Sequence, residues 1–307
     1  MKFTEWFVTH KLEPNESWLK QNLLLETILG SHAYGCENPN SDFDVVCIIM
    51  PKPEHLWPQK YGYILGLDEI PAFRRKELKG DKITTIENRQ VEIEWISIIE
   101  YFKLAGLQCS PNLVEVLFAN RNLVTASSKV GWMLRDNRKL FLSAEAFHTF
   151  KHYASRQMQV IRTKKPVSTE RGQVIAKYGY DVKMGYHVLR LIDEIEQLLT
   201  GQEIDLMHNR EENKLMKNGN WGDLDRFERV TRDRLDHAED LARKSTLPTL
   251  PLRDSLHKLL ADIIEDYYGD VADMKKTTDF ISASDVMKEL ADIRKSVDSL
   301  HFRTSPL

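Results

Sequence analysis

No stretch of this 307-residue chain stays apolar over the roughly eighteen positions that a membrane-spanning helix needs, so no membrane association is expected. The first residues lack the basic segment, apolar core and small-residue cleavage site of a secretory signal, and a cytoplasmic location is the expectation. Cysteine is scarce: Cys36, Cys47 and Cys109 are far apart and form no Cys-x-x-Cys pair, which excludes a zinc ribbon and a disulfide framework. Cys47, in an apolar run, reads as a small core residue. There is no internal repeat and no low-complexity tract. Nor is there an excess of positive charge, since the net charge is −3. That average conceals a division along the chain. Residues 1–150 carry −2, residues 191–307 carry −8, and residues 151–190 hold nine basic and two acidic side chains, a local +7 of the kind that a triphosphate or an RNA backbone requires.

What is present is one dense motif. An apolar run, Leu23 to Leu29, leads into Gly30-Ser31-His32-Ala33-Tyr34-Gly35, then a polar loop from Glu37 to Ser41, then Asp42-Phe43-Asp44 opening the strand-like Val45 to Met50. Alternate side chains of a strand share a face, so Asp42 and Asp44 project together and suit Mg²⁺, a hard cation that takes carboxylate, water and phosphate oxygens. A Gly-containing turn lets backbone N–H groups approach phosphate, and the Ser31 hydroxyl can add a hydrogen bond. Any one of these features is ordinary turn chemistry. Their order and spacing together point to phosphoryl chemistry. His32 reads as satisfying a local hydrogen bond of its tight turn.

A displacement at phosphorus clamped by two metal ions calls for a third carboxylate from a neighbouring strand. Val91-Glu92-Ile93-Glu94-Trp95-Ile96 alternates apolar and acidic residues and puts Glu92 and Glu94 on one face, so either can complete the site.

Gly30 to Val45 resembles the signature of the DNA polymerase β-type nucleotidyltransferase superfamily. With Ser31-x-Ala33-Tyr34-Gly35 it is similar to the RNA-repair-associated branch found in bacteria and large phages. Two other stretches agree: Phe102 to Phe118, containing Ser110-Pro111-Asn112-Leu113-Val114-Glu115, and Lys183-x-x-x-His187-x-x-Arg190-Leu191 followed by Leu198-Leu199-Thr200-Gly201. The resemblance spans roughly residues 20–260. It implies that Asp42, Asp44 and Glu92 hold the metal, Glu92 being preferred because the family's acid falls about five residues before the next helix, here capped by Ser97. Gly30, Ser31 and Ser41 are the nucleotide contacts it implies within the motif. Two Mg²⁺ ions, replaceable by Mn²⁺, and an NTP such as ATP are the cofactor and substrate it implies. The acceptor it favours is an RNA 3′ end, plausibly tRNA. A protein hydroxyl or a small molecule are alternatives, as is a catalytically silent nucleotide- or RNA-binding module.

Coarse patterning gives an α+β fold: a small mixed-sheet core over residues 1–125 and an all-helical domain over residues 126–307 that completes the cleft. In the core, Trp6, Phe7, Trp18 and Leu19 are expected anchors. Residues 51–90 read as an insertion with a hairpin turning at Glu87 to Gln90, and helices are expected over Ile98 to Ala105 and Asn112 to Phe118, separated by Pro111. Further on, a Ser143-capped helix through Phe147, Phe150, Ala154 and Met158 is expected, with others over Gln173 to Leu199, Leu224 to Lys244, Leu252 to Tyr268 and Ala283 to Leu300. On the second of these Lys183, His187 and Arg190 fall within about 60° of one another at 100° per residue, one stripe able to neutralise a triphosphate. Tyr180, beside Gly179, is a candidate for stacking on the base.

Overall fold

The strand Val45 to Met50 and the acid-alternating strand lie side by side in the structure, a computed structural model that describes residues 1–10, 17–52, 56, 79–86, 88–163, 169–201 and 203–269. The sheet contains β1 (Leu23–Ile28), β2 (Phe43–Ile49), β3 (Lys79–Ile86), β4 (Arg89–Ser97) and β5 (Val124–Ser127). Their order is β3-β4-β2-β1-β5, and the β2/β4 pair is parallel while the other three are antiparallel. The fold is therefore α+β with a mixed sheet, and among the described residues no strand follows Ser127.

Period-two alternation divides the sheet into two unlike faces. One face buries Val45, Cys47 and Ile49 of β2 with Val91, Ile93 and Trp95 of β4, and Phe3 and Phe7 of α1 (Phe3–His10) and Leu19 of α2 (Trp18–Gln21) close over them. Cys47 is fully buried there, as expected of a core residue. Trp6 and Trp18 pack against this core only partly buried. The other face carries Asp44 and Val46 of β2 with Glu92 and Glu94 of β4.

The attachment of α1 depends on a residue with no obvious sequence signature. Glu26, in the middle of β1 and fully buried, accepts hydrogen bonds from the backbone N–H of Phe3 (2.8 Å) and Thr4 (2.6 Å) and from the Thr125 hydroxyl (2.5 Å). An anion at a helix N-terminus satisfies donors that have no intrahelical partner.

Several expected elements shift. Ile86 pairs with Arg89, so the β3/β4 connection is two residues long, with Asn88 at φ 63°, and Arg89 and Gln90 already belong to the strand. After α3 (Gly30–Ala33), Ser97 caps α4 (Ile98–Tyr101) by accepting the N–H of Glu100, and the chain continues as a π-helix over Phe102–Leu107. Pro111 begins α5 (Pro111–Phe118) in its first turn, where its missing N–H costs nothing. Helix α6 (Lys129–Asp136) crosses β1 so closely that a side chain at Gly131 would collide with the Leu24 carbonyl.

Helix α7 (Glu145–Thr163) buries Phe147, Phe150, Ala154 and Met158 as the pattern required. The N–H of Ala144, just before the helix, donates to the Pro248 carbonyl and that of Glu145, its first residue, to the Thr249 carbonyl, while the Ser143 hydroxyl lies 3.5 Å from Cys109 Sγ. The expected long helix from Gln173 to Leu199 is two helices, α8 (Thr169–Tyr178) and α9 (Val182–Leu199). Gly179 at φ 83° ends the first, and the Asp181 side chain caps the second. Helix α9 is buried almost all round, the mark of a central helix rather than an amphipathic surface one. It packs against α7, α10 (Arg210–Lys217) and α11 (Leu224–Lys244). The last described helix is α12 (Arg253–Tyr268). Much of the 51–90 insertion and the helix expected over Ala283 to Leu300 lie outside the described residues. By contact density the chain divides into Met1–Ile263, which contains everything described below, and Ile264–Leu307.

The basic block is partly neutralised within the fold. Lys151 pairs with Glu239 and Arg162 with Glu228, each at 2.6 Å, so α7 presents less free positive charge than its sequence suggests.

Glu26→Gln should lower stability by about 1.5–3 kcal/mol, the range for charge-assisted hydrogen bonds. Urea denaturation should show a lower midpoint at unchanged slope; an unchanged midpoint would mean that α1 is held by apolar contact alone.

Candidate active site

The Gly-Ser turn and the acidic strand meet because β1 and β2 run together to its edge, where the N–H of Leu29 donates to the carbonyl of Asp44 at 2.7 Å. Gly30 follows at φ 59°, and the Asp44 carboxylate lies directly on its Cα, in the space that any Cβ would fill. Glycine is thus required here twice, for the backbone angle and for the approach of the acid. The turn closes with the N–H of Cys36 donating to the Ser31 carbonyl at 2.9 Å. Ser41 is buried, and its hydroxyl accepts from the N–H of Asn38 at 2.8 Å, while the Asn38 side chain accepts from the N–H of Asn40. Its visible work is to fold the loop that delivers Asp42.

The register of the parallel strands places Asp44 opposite Glu92 and Val46 opposite Glu94, so all three acids stand on one face. Glu92 is exposed and Glu94 half-buried. Burial pushes the Asp44 carboxyl above the ordinary carboxylate range; Lys183 pulls it back, Asp42 pushes it further, and His32 and Arg190 oppose. A desolvated carboxylate beside a second one fits a hard cation in donor chemistry and charge. Among the described residues no three His, Cys, Asp or Glu side chains are already gathered at ligating distance, so Glu92 or Glu94 would have to reorient to join Asp42 and Asp44.

The expected cationic stripe separates into layers. Lys183 is exposed in the first turn of α9, at the carboxylates, and His187 is half-buried against Tyr186. Arg190 is 6% exposed and lies inside the protein. Its guanidinium stands 3.2 Å from Glu115 of α5 and 3.3 Å from Glu194 of α9, and 4.2 Å from the ring centroid of Tyr34, whose hydroxyl donates to Glu115. Burial works against the charge on Arg190, but Glu115, Tyr34 and Glu194 more than offset it and hold its pKa above the usual arginine value. Burial pushes the Glu194 carboxyl well above the carboxylate range, Glu115 adds to this, and Arg190 opposes it. Tyr180 is also interior: its ring stacks on Phe227 with centroids 5.3 Å apart, and its hydroxyl donates to the Gly222 carbonyl at 3.2 Å. Both side chains thus lie in the interior of the protein.

Sequence reasoning missed Glu115 as a partner of the motif and missed Lys217 altogether. An acid between Val114 and Val116 in an otherwise apolar helix was a usable signal for the first. Lys217 ends a helix of mixed charge that opens Arg210-Glu211-Glu212-Asn213-Lys214, and nothing in the sequence marks it.

A model of the RNA repair pathway DNA polymerase beta family matches residues 7–250, a span that includes every residue of this site. No curated protein matches the chain. Eight chains of solved structures match, among them a nucleotidyltransferase-like protein from Exiguobacterium sibiricum 255-15, 10% identical, with a TM-score of 0.30 over 98% of this chain and 91% of that one.

Because the pKa of Glu194 lies above the 4.5 of an exposed glutamate, the fold favours the neutral acid, and ionisation of the unfolded chain works against folding as pH rises past about 4.5. Glu194→Gln, a mimic of that acid, should melt a few degrees higher at pH 7.5, roughly 2–4 °C for each kcal/mol in a chain of this size. The gain should shrink towards zero near pH 4. A variant less stable than wild type at pH 7.5 would mean that Glu194 is ionised in the fold.

Proposed function

The chain belongs to the RNA repair pathway DNA polymerase beta family, and on that premise we propose that it transfers a nucleoside monophosphate from an NTP to a hydroxyl, an RNA 3′ end such as that of tRNA being the favoured acceptor. The observation that carries this reading is the half-buried Asp44 carboxylate lying on Gly30, next to Asp42 and facing Lys183. Residues 1–125 act as the catalytic part, and the helices from residue 126 onward complete the cleft.

In the reaction the acceptor oxygen forms a bond to the α-phosphorus, the bond from that phosphorus to its bridging oxygen breaks, and pyrophosphate leaves with the electron pair. Asp42 and Asp44, with Glu92 or Glu94, would hold Mg²⁺ ions or Mn²⁺ in their place, which when bound polarise the phosphoryl oxygens and acidify the acceptor hydroxyl. One of these acids also takes the acceptor's proton, a small task once the hydroxyl is acidified. Gly30 and Ser31 present backbone N–H groups and a hydroxyl to the phosphates. Lys183, exposed and next to the carboxylates, neutralises the triphosphate. Arg190 positions rather than binds: it fixes Tyr34, and with it the turn, from inside the protein. The RNA acceptor draws its support from the family's place in RNA repair.

Incubation with each α-labelled NTP, Mg²⁺ or Mn²⁺, and total RNA plus total protein separates the acceptors. Label should appear on RNA and fall by roughly two orders of magnitude or more in an Asp42→Ala, Asp44→Ala double variant. Label on protein would name the other acceptor, equal transfer by both enzymes would overturn the carboxylate assignment, and metal-dependent NTP binding without transfer would leave a silent binding module. Glu92→Gln should abolish transfer where Glu94→Gln only slows it; the reverse would move the third ligand to Glu94.

A further inference from the structure

We propose that Lys217 is a second phosphate-binding residue of this site, which holds the two terminal phosphates of the NTP and the pyrophosphate they become. This rests on the nucleotidyltransferase reading above and extends it to a residue of the helical region.

Helix α10 is fastened to the motif at both of its ends. Gly35, at φ 61°, has no side chain, and a Cβ there would come within 2.5 Å of Arg210 Cδ and 2.6 Å of Met207 Cε. At the other end of the helix Lys217 Nζ donates to the Cys36 carbonyl at 3.0 Å. That bond occupies one of three ammonium donors and leaves two for a ligand.

The charge around Lys217 is unbalanced. Its neighbours on α10 are paired, Lys214 with Glu211 at 3.3 Å and Arg210 with Glu211 at 3.1 Å. Lys217 and Lys183 have no carboxylate within 4 Å among the described residues, although Lys217 is half-buried and the two cations oppose each other. Burial and Lys183 both lower the proton affinity of Lys217, and Cys36 and Asp44 only partly restore it. A half-buried ammonium beside a second cation is unfavourable unless an anion joins them, and a polyphosphate is the anion this site is built to take. The two lysines then divide the substrate. Lys183, exposed in the first turn of α9, serves the end of the turn where Asp44 lies on Gly30 and where the reacting α-phosphate would sit, six residues from Cys36. Lys217, hung from Cys36, takes the phosphates beyond it, where charge is densest.

A purely structural Lys217 would tether the loop at Cys36 and nothing more. The two roles separate in equilibrium competition against a fluorescent NTP, with the unlabelled NTP, its monophosphate and inorganic pyrophosphate as competitors, for wild type, Lys217→Met and Lys217→Arg. Lys217→Met should bind NTP and pyrophosphate about tenfold or more weakly, the size of a lost charge-assisted hydrogen bond, with monophosphate affinity unchanged and any fall in melting temperature restored by Lys217→Arg. Lys217→Arg should recover part of the loss. Equal losses for NTP and monophosphate, or a lowered melting temperature that Lys217→Arg does not restore, would assign the residue to the tether, and no loss at all would overturn the proposal outright. If the wild-type protein binds no NTP, the nucleotidyltransferase reading itself fails, and this one with it.

Discussion

The arrangement depends on one buried cation. Arg190 stands on the central helix with Glu115 on one side, Glu194 on the other and the ring of Tyr34 against its face. A guanidinium inside a protein is tolerated only when a buried anion meets its charge, and leaving it without any anion typically costs about 3–5 kcal/mol. Each of its partners comes from a different part of the chain: the motif turn, the helix after Pro111, and the next turn of α9 itself. Satisfying Arg190 therefore means bringing the phosphate turn, the sheet's flanking helix and the central helix into one register.

That register has consequences at the surface. Lys183 lies two turns before Arg190 on α9, so anchoring the arginine to Tyr34 places the lysine at Asp44. Asp44 is pressed against Gly30 from the opposite side. Burial of that carboxylate raises its demand for positive charge, which Lys183 meets in part. Among the described residues Lys183 and Lys217 have no carboxylate within 4 Å, and under the proposed function a metal–triphosphate complex would join these cations to the acids of the sheet. Charge set against charge in the interior, with an exposed lysine and carboxylates above it, is the division expected between a scaffold and a binding surface.

The local chemistry was legible in the sequence to the extent that it was contiguous. Gly30 to Asp44 contains its own geometry, because glycine angles, an Asn-Ser turn and strand alternation act within a few residues. The alternation of Val91 to Ile96 was likewise sufficient to put Glu92 and Glu94 on one face, and the parallel register then set Glu92 beside Asp44. Failures occurred where a residue type has two uses that only tertiary packing separates. Arg190 and Lys183 share a helical stripe, but the helix is buried almost all round and Lys183 in its first turn reaches solvent while Arg190 two turns on does not, so one became core and the other surface. Tyr180 went the same way when Gly179 broke the helix and turned its ring onto Phe227. Glu26 and Lys217 were invisible because their partners are 22 or more residues away and of the plainest kind, backbone N–H groups and a carbonyl.

The central claim is that the buried cluster holds the phosphate turn in its working shape. Amide hydrogen exchange in Tyr34→Phe tests it most directly, since that change removes one hydroxyl from Glu115 and leaves the ring on Arg190. The account predicts faster exchange confined to residues 31–36 and the start of α5, with β1 and β2 as protected as in wild type. Unchanged exchange in the turn, or an equal loss of protection throughout the sheet, would contradict it.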